Sequence, residues 1–134
     1  MLHLIKILNG RIGVPEPERI TLASNVTVKY GMPVSIVGGV LTPVTSTSTA
    51  LPTHLVLKDS TEKEVLAARL SPEMLFEIKL SADPASMTVG TEYLLSADGD
   101  TLSATAASGG KRGAILVDKT GARAAGDTVC VAFR

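Results

Sequence analysis

Few side chains in this sequence are of a kind that performs acid–base, nucleophilic or metal chemistry near neutral pH. The chain holds two histidines, His3 and His54, and one cysteine, Cys130. Nucleophilic catalysis needs a Ser or Cys, a base in reach of it, and an acid that orients the base. The Gly-x-Ser-x-Gly elbow that presents such a serine is missing from the sequence. His54 follows Pro52-Thr53 and precedes an apolar run, so it reads as a side chain at the edge of a loop. Cys130 lies in Val129-Cys130-Val131-Ala132-Phe133, the setting of a small buried hydrophobe in a strand. It has no neighbouring cation or helix N-terminus in sequence to favour its thiolate.

Metal and phosphate sites fare no better. Two isolated histidines and one cysteine fall short of a zinc tetrad. Asp98-Gly99-Asp100 lacks the further acids and the distal Glu of a calcium loop and reads as a turn. Gly109-Gly110-Lys111-Arg112-Gly113 departs from the phosphate-loop pattern and leads into a strand instead of a helix, so it reads as a basic hairpin tip. Glu62 and Glu64 flank Lys63 in a solvated turn. The expectation is a protein that is not an enzyme, with no catalytic residues, metal or cofactor.

The elements that would position any site are set by composition and punctuation. A chain of 134 residues, 45% hydrophobic and 19% charged, is sized for one domain with a core of its own. Its 13 basic and 13 acidic residues balance, which argues against nucleic-acid binding, a process driven by excess Lys and Arg. With 3% aromatic residues and no Trp it also lacks a stacking platform for single strands. Near-zero charge favours self-association. The apolar run Met1–Leu8 is too short to cross a bilayer and has neither a basic flank nor a small-residue cleavage site, so no membrane segment or signal peptide is expected and synthesis is intracellular.

Twelve Gly and seven Pro separate short runs of Val, Ile, Leu and Thr, the pattern of strands. Val26-Thr27-Val28-Lys29-Tyr30 and Phe76-Glu77-Ile78-Lys79-Leu80 alternate at period two, as half-buried strands do. Gly38-Gly39 and Asp98-Gly99 are hairpin-turn dipeptides. Ser71-Pro72-Glu73-Met74-Leu75 carries helix-start signals and predicts a single helical turn or an irregular crossover.

The sequence also repeats itself. Ile20-Thr21-Leu22, Gly31-Met32-Pro33-Val34, a glycine turn, Leu41 and Leu55-Val56-Leu57 are echoed by Ile78-Lys79-Leu80, Gly90-Thr91-Glu92-Tyr93, a glycine turn, Leu102 and Ile115-Leu116-Val117. The spacing from Gly31 to Leu55 and from Gly90 to Ile115 differs by one residue. Gly126-Asp127-Thr128-Val129 restarts the pattern as a third echo. Each copy supplies about three short strands, too few to bury a face alone, and two together close a barrel or a sandwich over a shared interior. Thr45–Ala50 and Ser103–Gly110 are small, uncharged loops at matching places in the copies, suited to exposure or to contact with a partner. The expected fold is therefore all-β: a small barrel or sandwich from a duplicated β unit, with an extended N-terminal arm over residues 1–19 and at most one short helix. Residues 20–134 form a single β domain with repeat halves at about 20–66 and 78–134.

The arm stands outside the repeat. It holds an apolar stretch, the turn Asn9-Gly10, and Pro15 and Pro17, which keep it extended and out of central strands. Such an arm packs on its own body as a further strand, on another subunit, or on a partner. Its partner-binding candidates are Leu4, Ile5, Lys6, Ile7, Leu8, Arg11 and Ile12.

The pieces Ile5-Lys6-Ile7-Leu8-Asn9-Gly10-Arg11-Ile12, Pro15-Glu16-Pro17-Glu18 and Ala124-Ala125-Gly126-Asp127-Thr128-Val129 through Phe133-Arg134 resemble capsid decoration, or cement, proteins of tailed bacteriophages. That family has no catalytic signature. The resemblance implies a β-rich virion structural protein, made in the host cytoplasm, that binds the major capsid protein on the outside of an assembled head. It also implies a homo-oligomer, a homotrimer by analogy, with no direct contact with nucleic acid or membrane. The alternatives are another virion component, such as a head-fibre base, tail or adaptor protein, or a small β module that binds a ligand or carbohydrate. The second is disfavoured by the scarcity of aromatic side chains.

Overall fold

A computed structural model of the chain describes residues 3–7, 17–59 and 63–134. These residues form β1 (His3–Ile7), β2 (Pro17–Thr21), β3 (Pro33–Val37), β4 (Val40–Pro43), β5 (His54–Val56), β6 (Glu64–Arg69), β7 (Met74–Lys79), β8 (Glu92–Leu95), β9 (Leu102–Ala106), β10 (Ala114–Asp118) and β11 (Thr128–Ala132). One sheet runs β2-β6-β5-β3-β4 and the other β1-β7-β11-β10-β8-β9. The fold is all-β, with two antiparallel sheets and no closed barrel among the described residues.

Setting β1 aside, the two strand orders are the same, with β2 to β6 matching β7 to β11 one for one. The match extends to single hydrogen bonds. Gly31 N donates to Val56 O at 2.8 Å and Val56 N to Met32 O at 3.0 Å; Gly90 N donates to Leu116 O at 2.7 Å and Leu116 N to Thr91 O at 3.0 Å. Gly31 and Gly90 have φ of 80° and 91°, a left-handed backbone that costs glycine nothing and other residues about 1–2 kcal/mol. In each unit the end of the first strand also meets the third strand in parallel, Leu22 against Leu41 and Leu80 against Leu102. This contact curls each sheet over its apolar face.

Alternation places the core residues. Met74, Phe76 and Ile78 of β7 point inward while Glu77 and Lys79 stay in water. The second unit's cluster gathers Phe76, Ile78, Leu95, Leu102, Leu116 and Val131 among others, and Phe76 and Phe133 meet with ring centroids 5.8 Å apart. The first unit's cluster is smaller and built around Val28, Val34, Leu41, Val56 and Val65. The interior is thus divided, instead of the single shared interior expected from sequence. Val44 and Leu55 of the first unit join the second unit's cluster and tie the halves together.

Several expectations shift. Ser71–Leu75 is no helical turn: Met74 N donates to Ser71 O at 3.1 Å across a tight turn, and Met74 already opens β7. The period-two burial of Met74, Phe76 and Ile78 outweighs the local helix-start signals. The same signals do succeed at Asp83-Pro84, where the Asp83 carboxylate accepts from Ala85 N and caps a 3-10 turn over Pro84–Ser86. Val26–Tyr30 forms no named strand, although Val28 is fully buried and Thr27 and Lys29 are exposed. Gly126–Val129 starts no third copy; it leads into β11, which pairs with β7 as β6 pairs with β2. Ser103–Ala106 belongs to β9, so the second small-residue loop begins at Ala107.

The N-terminal segment supplies two strands. β1 pairs antiparallel with β7 at the edge of the second sheet, with a bulge between Leu4 and Lys6. β2 begins at Pro17, inside the stretch that sequence assigns to the arm, because the apolar pattern starts only at Ile20. Pro17 lacks an N–H and blunts the edge of β2, where the matching stretch of β7 is instead covered by β1.

Two glycines separate packing from backbone freedom. A Cβ on Gly113 would stand 1.9 Å from the Tyr93 carbonyl oxygen, whereas one on Gly109 meets nothing within 4 Å. Gly113→Ala is therefore expected to lower unfolding stability by about 1–3 kcal/mol through overpacking, and Gly109→Ala by about 1 kcal/mol through its left-handed φ alone. Urea denaturation of the two variants checks the order. Phe76→Ala should exceed both, at about 3–5 kcal/mol.

Candidate interaction surfaces

One cluster of chemistry-bearing residues forms around a buried histidine. His54 is only 2% exposed and lies within β5, so it is a core side chain and not the loop-edge residue expected. Its Nε2 lies 2.5 Å from Glu18 Oε2 and its Nδ1 2.8 Å from Thr53 Oγ1. Arg69 Nη2 donates to the other Glu18 oxygen at 3.3 Å. The hydrogen bond from His54 is the main cause that holds the Glu18 carboxyl below its ordinary pKa, with Arg69 adding to it. By register, Glu18 occupies the place of Phe76 in the second unit and His54 the place of Ala114. A hydrogen-bonded polar couple thus replaces an apolar one, and it satisfies an imidazole nitrogen that would otherwise be buried without a partner.

The order hydroxyl, imidazole, carboxylate follows the connectivity of a hydrolase triad. Thr53, however, is the chain neighbour of His54, and two grooves on the surface of the described residues are lined by other residues. One groove, of about 630 Å³, lies at the open end of the first unit along Thr21–Thr27, with Val40 and Lys63. The other, of about 470 Å³, lies between the units, with Lys29, Tyr30 and Asp59 on one side and Glu77, Lys79 and Asp100 on the other. Its signs alternate, and Asp59 Oδ1 already accepts from Tyr30 N at 2.6 Å.

The remaining candidates are structural. Asp98 accepts from Ser96 Oγ at 2.6 Å and from Asp100 N at 3.0 Å, and these bonds lower its pKa within the turn. Arg112 is not a free basic tip: its Nε donates to Glu92 Oε1 at 2.9 Å and its Nη2 to Arg134 O at 2.9 Å. Cys130 is partly exposed in β11, and burial first, then the charges of Asp118 and Glu77, push its thiol pKa up, away from a reactive thiolate. Among the described residues no group of three or more His, Cys, Asp or Glu is placed to hold a metal ion. Glu64 is an exposed residue opening β6, and Glu62 lies outside the described residues.

The surfaces available for contact are of two kinds. The first is the sheet edge at β1, which carries four of the arm candidates, Leu4, Ile5, Lys6 and Ile7; Leu8, Arg11 and Ile12 lie outside the described residues. The second went unnoticed in the sequence. From Tyr30 to Leu57 the chain contains no Asp, Glu, Lys or Arg, and this stretch forms the β3–β4 hairpin and the β4–β5 loop. At the hairpin Ile36 and Val37 are 41% and 58% exposed. The signal was present as a long gap in charge, but it looks like core until the fold shows which residues are left outside.

The Glu18 pairing carries a pH signature. Because its folded pKa is lowered, the pairing contributes stability above about pH 4.5, the ordinary glutamate value, and loses it as pH falls through the lowered folded value. Thermal melts from neutral pH downward should show Glu18→Gln less stable than the parent near neutrality and the two converging in acid; a constant gap would contradict the assignment. No protein-family model matches this sequence, and comparison with curated proteins gives no match.

Proposed function

We propose that this chain is a decoration protein of a tailed-phage head, binding the major capsid protein on the outer surface of the assembled shell and stabilising it. The observation that carries the reading is the placement of β1. An N-terminal segment of apolar composition lies at the free edge of the second sheet, where it presents main-chain groups for strand addition. The sequence resemblance of the same segment to cement proteins points the same way, as does the uncharged face of the first unit, which can approach a neighbouring protein without stripping water from ionised groups.

The mechanism is one of linkage. A protein that contacts neighbouring capsomers binds the assembled lattice more tightly than free subunits, and whatever binds one state preferentially stabilises it by mass action. Modest contacts repeated over the shell add up through multivalency. The rigid double-sheet body fits such a role, since it would hold the contacting edge in a fixed geometry and lose little entropy on binding.

Purified protein mixed with undecorated heads of its phage should co-sediment at a fixed stoichiometry, and absence of binding to that shell would reject the reading. Deleting residues 1–13 removes β1 and should abolish co-sedimentation while circular dichroism still reports a cooperatively folded β body. Retained attachment by the truncated chain would place the contact elsewhere.

A further inference from the structure

The groove between the two units is walled by fixed backbone. On the first unit's side Met32 N donates to Lys29 O at 3.1 Å, Gly31 N donates to Val56 O at 2.8 Å, and Asp59 Oδ1 accepts from Tyr30 N at 2.6 Å. These bonds hold Lys29, Tyr30 and Asp59 on one wall. On the other wall Glu77 and Lys79 are outward residues of β7, and Thr128 of β11 stands beside Lys79 in register. Asp100 joins them from the β8–β9 turn, where its N–H donates to Asp98 Oδ1 at 3.0 Å. Of the chain's four aromatic side chains, Phe76, Tyr93 and Phe133 are buried and Tyr30 alone is half-exposed, at 43%.

The repeat shows that the fold does not require this ring. In the second unit the same turn is closed by Thr91 N donating to Thr88 O at 3.2 Å and Gly90 N to Leu116 O at 2.7 Å, and there Val89 stands at the place of Tyr30. Counted onward from Leu116 and Val56, Lys119 stands at the place of Asp59. Its Nζ donates to Pro84 O at 3.1 Å and to Met87 O at 2.6 Å. The second unit thus ties this corner to its own loop, whereas the first lines the groove with a ring and a carboxylate.

We propose that this groove, of about 470 Å³, is a binding site for a neutral carbohydrate. A sugar ring has an apolar C–H face, which packs on a flat aromatic side chain, and a rim of hydroxyls that both donate and accept. Tyr30 supplies the flat face. Asp59, Glu77 and Asp100 accept hydrogen bonds, Lys29 and Lys79 donate them, and the Thr128 hydroxyl does either. A concave site of this size with a few convergent polar groups suits a small ligand. Charge selects its class. Cations and carboxylates occur on both walls, so a charged ligand would meet like charge wherever it lay, while a neutral polyol meets none and gains hydrogen bonds to ionised groups, which are the stronger kind. The scarcity of aromatic side chains, which counts against a sugar site in the sequence, is offset by where the one exposed ring lies. None of the lining residues belongs to β1, so the site is independent of the capsid reading: sugar binding can hold where shell binding fails, and the reverse.

Titration calorimetry of the intact protein with soluble neutral oligosaccharides of glucose, mannose, galactose and N-acetylglucosamine tests it. At least one of them should bind with a Kd of about 1 mM or tighter. Tyr30→Ala should weaken that binding at least about tenfold, and Tyr30→Phe, which keeps the ring, should stay within about threefold of the parent. Val89→Ala truncates the equivalent residue of the second unit and should leave the affinity unchanged. Should Tyr30→Ala fail to fold, amide chemical shifts of the intact protein decide: saturating sugar should move Lys29, Tyr30, Lys79, Asp100 and Thr128 more than the rest. No binding of any of these sugars overturns the proposal. So does binding indifferent to Tyr30→Ala, tighter binding of a sulfated or sialylated oligosaccharide than of its neutral parent, or shifts that cluster away from the groove.

Discussion

The parallel contact between Leu22 and Leu41, with its counterpart between Leu80 and Leu102, brings the first strand of each unit against the third. A five-stranded sheet from so short a chain has one apolar face and two edges to deal with. Bending the first strand across to the third addresses both, because it wraps the face into an enclosed cluster and shortens the exposed edges. The bend depends on local details that recur in both units: a left-handed glycine donating to the fourth strand, and the first strand's terminal N–H, of Leu22 or Leu80, donating to the carbonyl of Lys63 or Asp127. All four side chains of the paired leucines are buried, so the closure and the core form one cooperative structure.

On that shared framework the two units have diverged where their burdens differ. The second unit holds the larger apolar cluster, with Phe76 and Phe133 at its centre, and the edge of its first strand is covered by β1. Among the described residues the first unit has no such strand along β2; Pro17 blunts that edge, and Glu18 with His54 and Arg69 fills the place that Phe76 takes in the other copy. Glu18 is partly solvated while His54 is not, so the carboxylate links a buried ring to the surface. A paired, hydrogen-bonded polar couple costs less at a half-open site than an exposed phenylalanine would, and it fixes the relation of β2 to β5 across β6.

The division of labour extends to the surfaces. Charged side chains occur in both units and line the groove between the halves, and the first unit also turns an uncharged hairpin and loop outward. Contact through such an uncharged surface removes water from few ionised groups, which is the property that the proposed role draws on.

Much of the fold is legible in the order of residues. The alternation of β7, the Gly38-Gly39 turn and the repeat anchored on Gly31 and Gly90 depend on backbone conformation and on neighbours a few positions away, and these are properties that sequence determines directly. Tertiary structure alone decided the rest, because it depends on groups far apart in the chain. His54 looked like a loop residue because Glu18, which makes its burial tolerable, lies on another strand. Ser71–Leu75 carried helix signals that only the ladder to β1 and β11 overrode. The uncharged run from Tyr30 to Leu57 passed unremarked in the sequence, and only the fold shows that part of it is surface, since a curled sheet has room inside for only one face of each strand. Local chemistry set the strands and turns; which faces were left over for function was settled by how the two units closed and met.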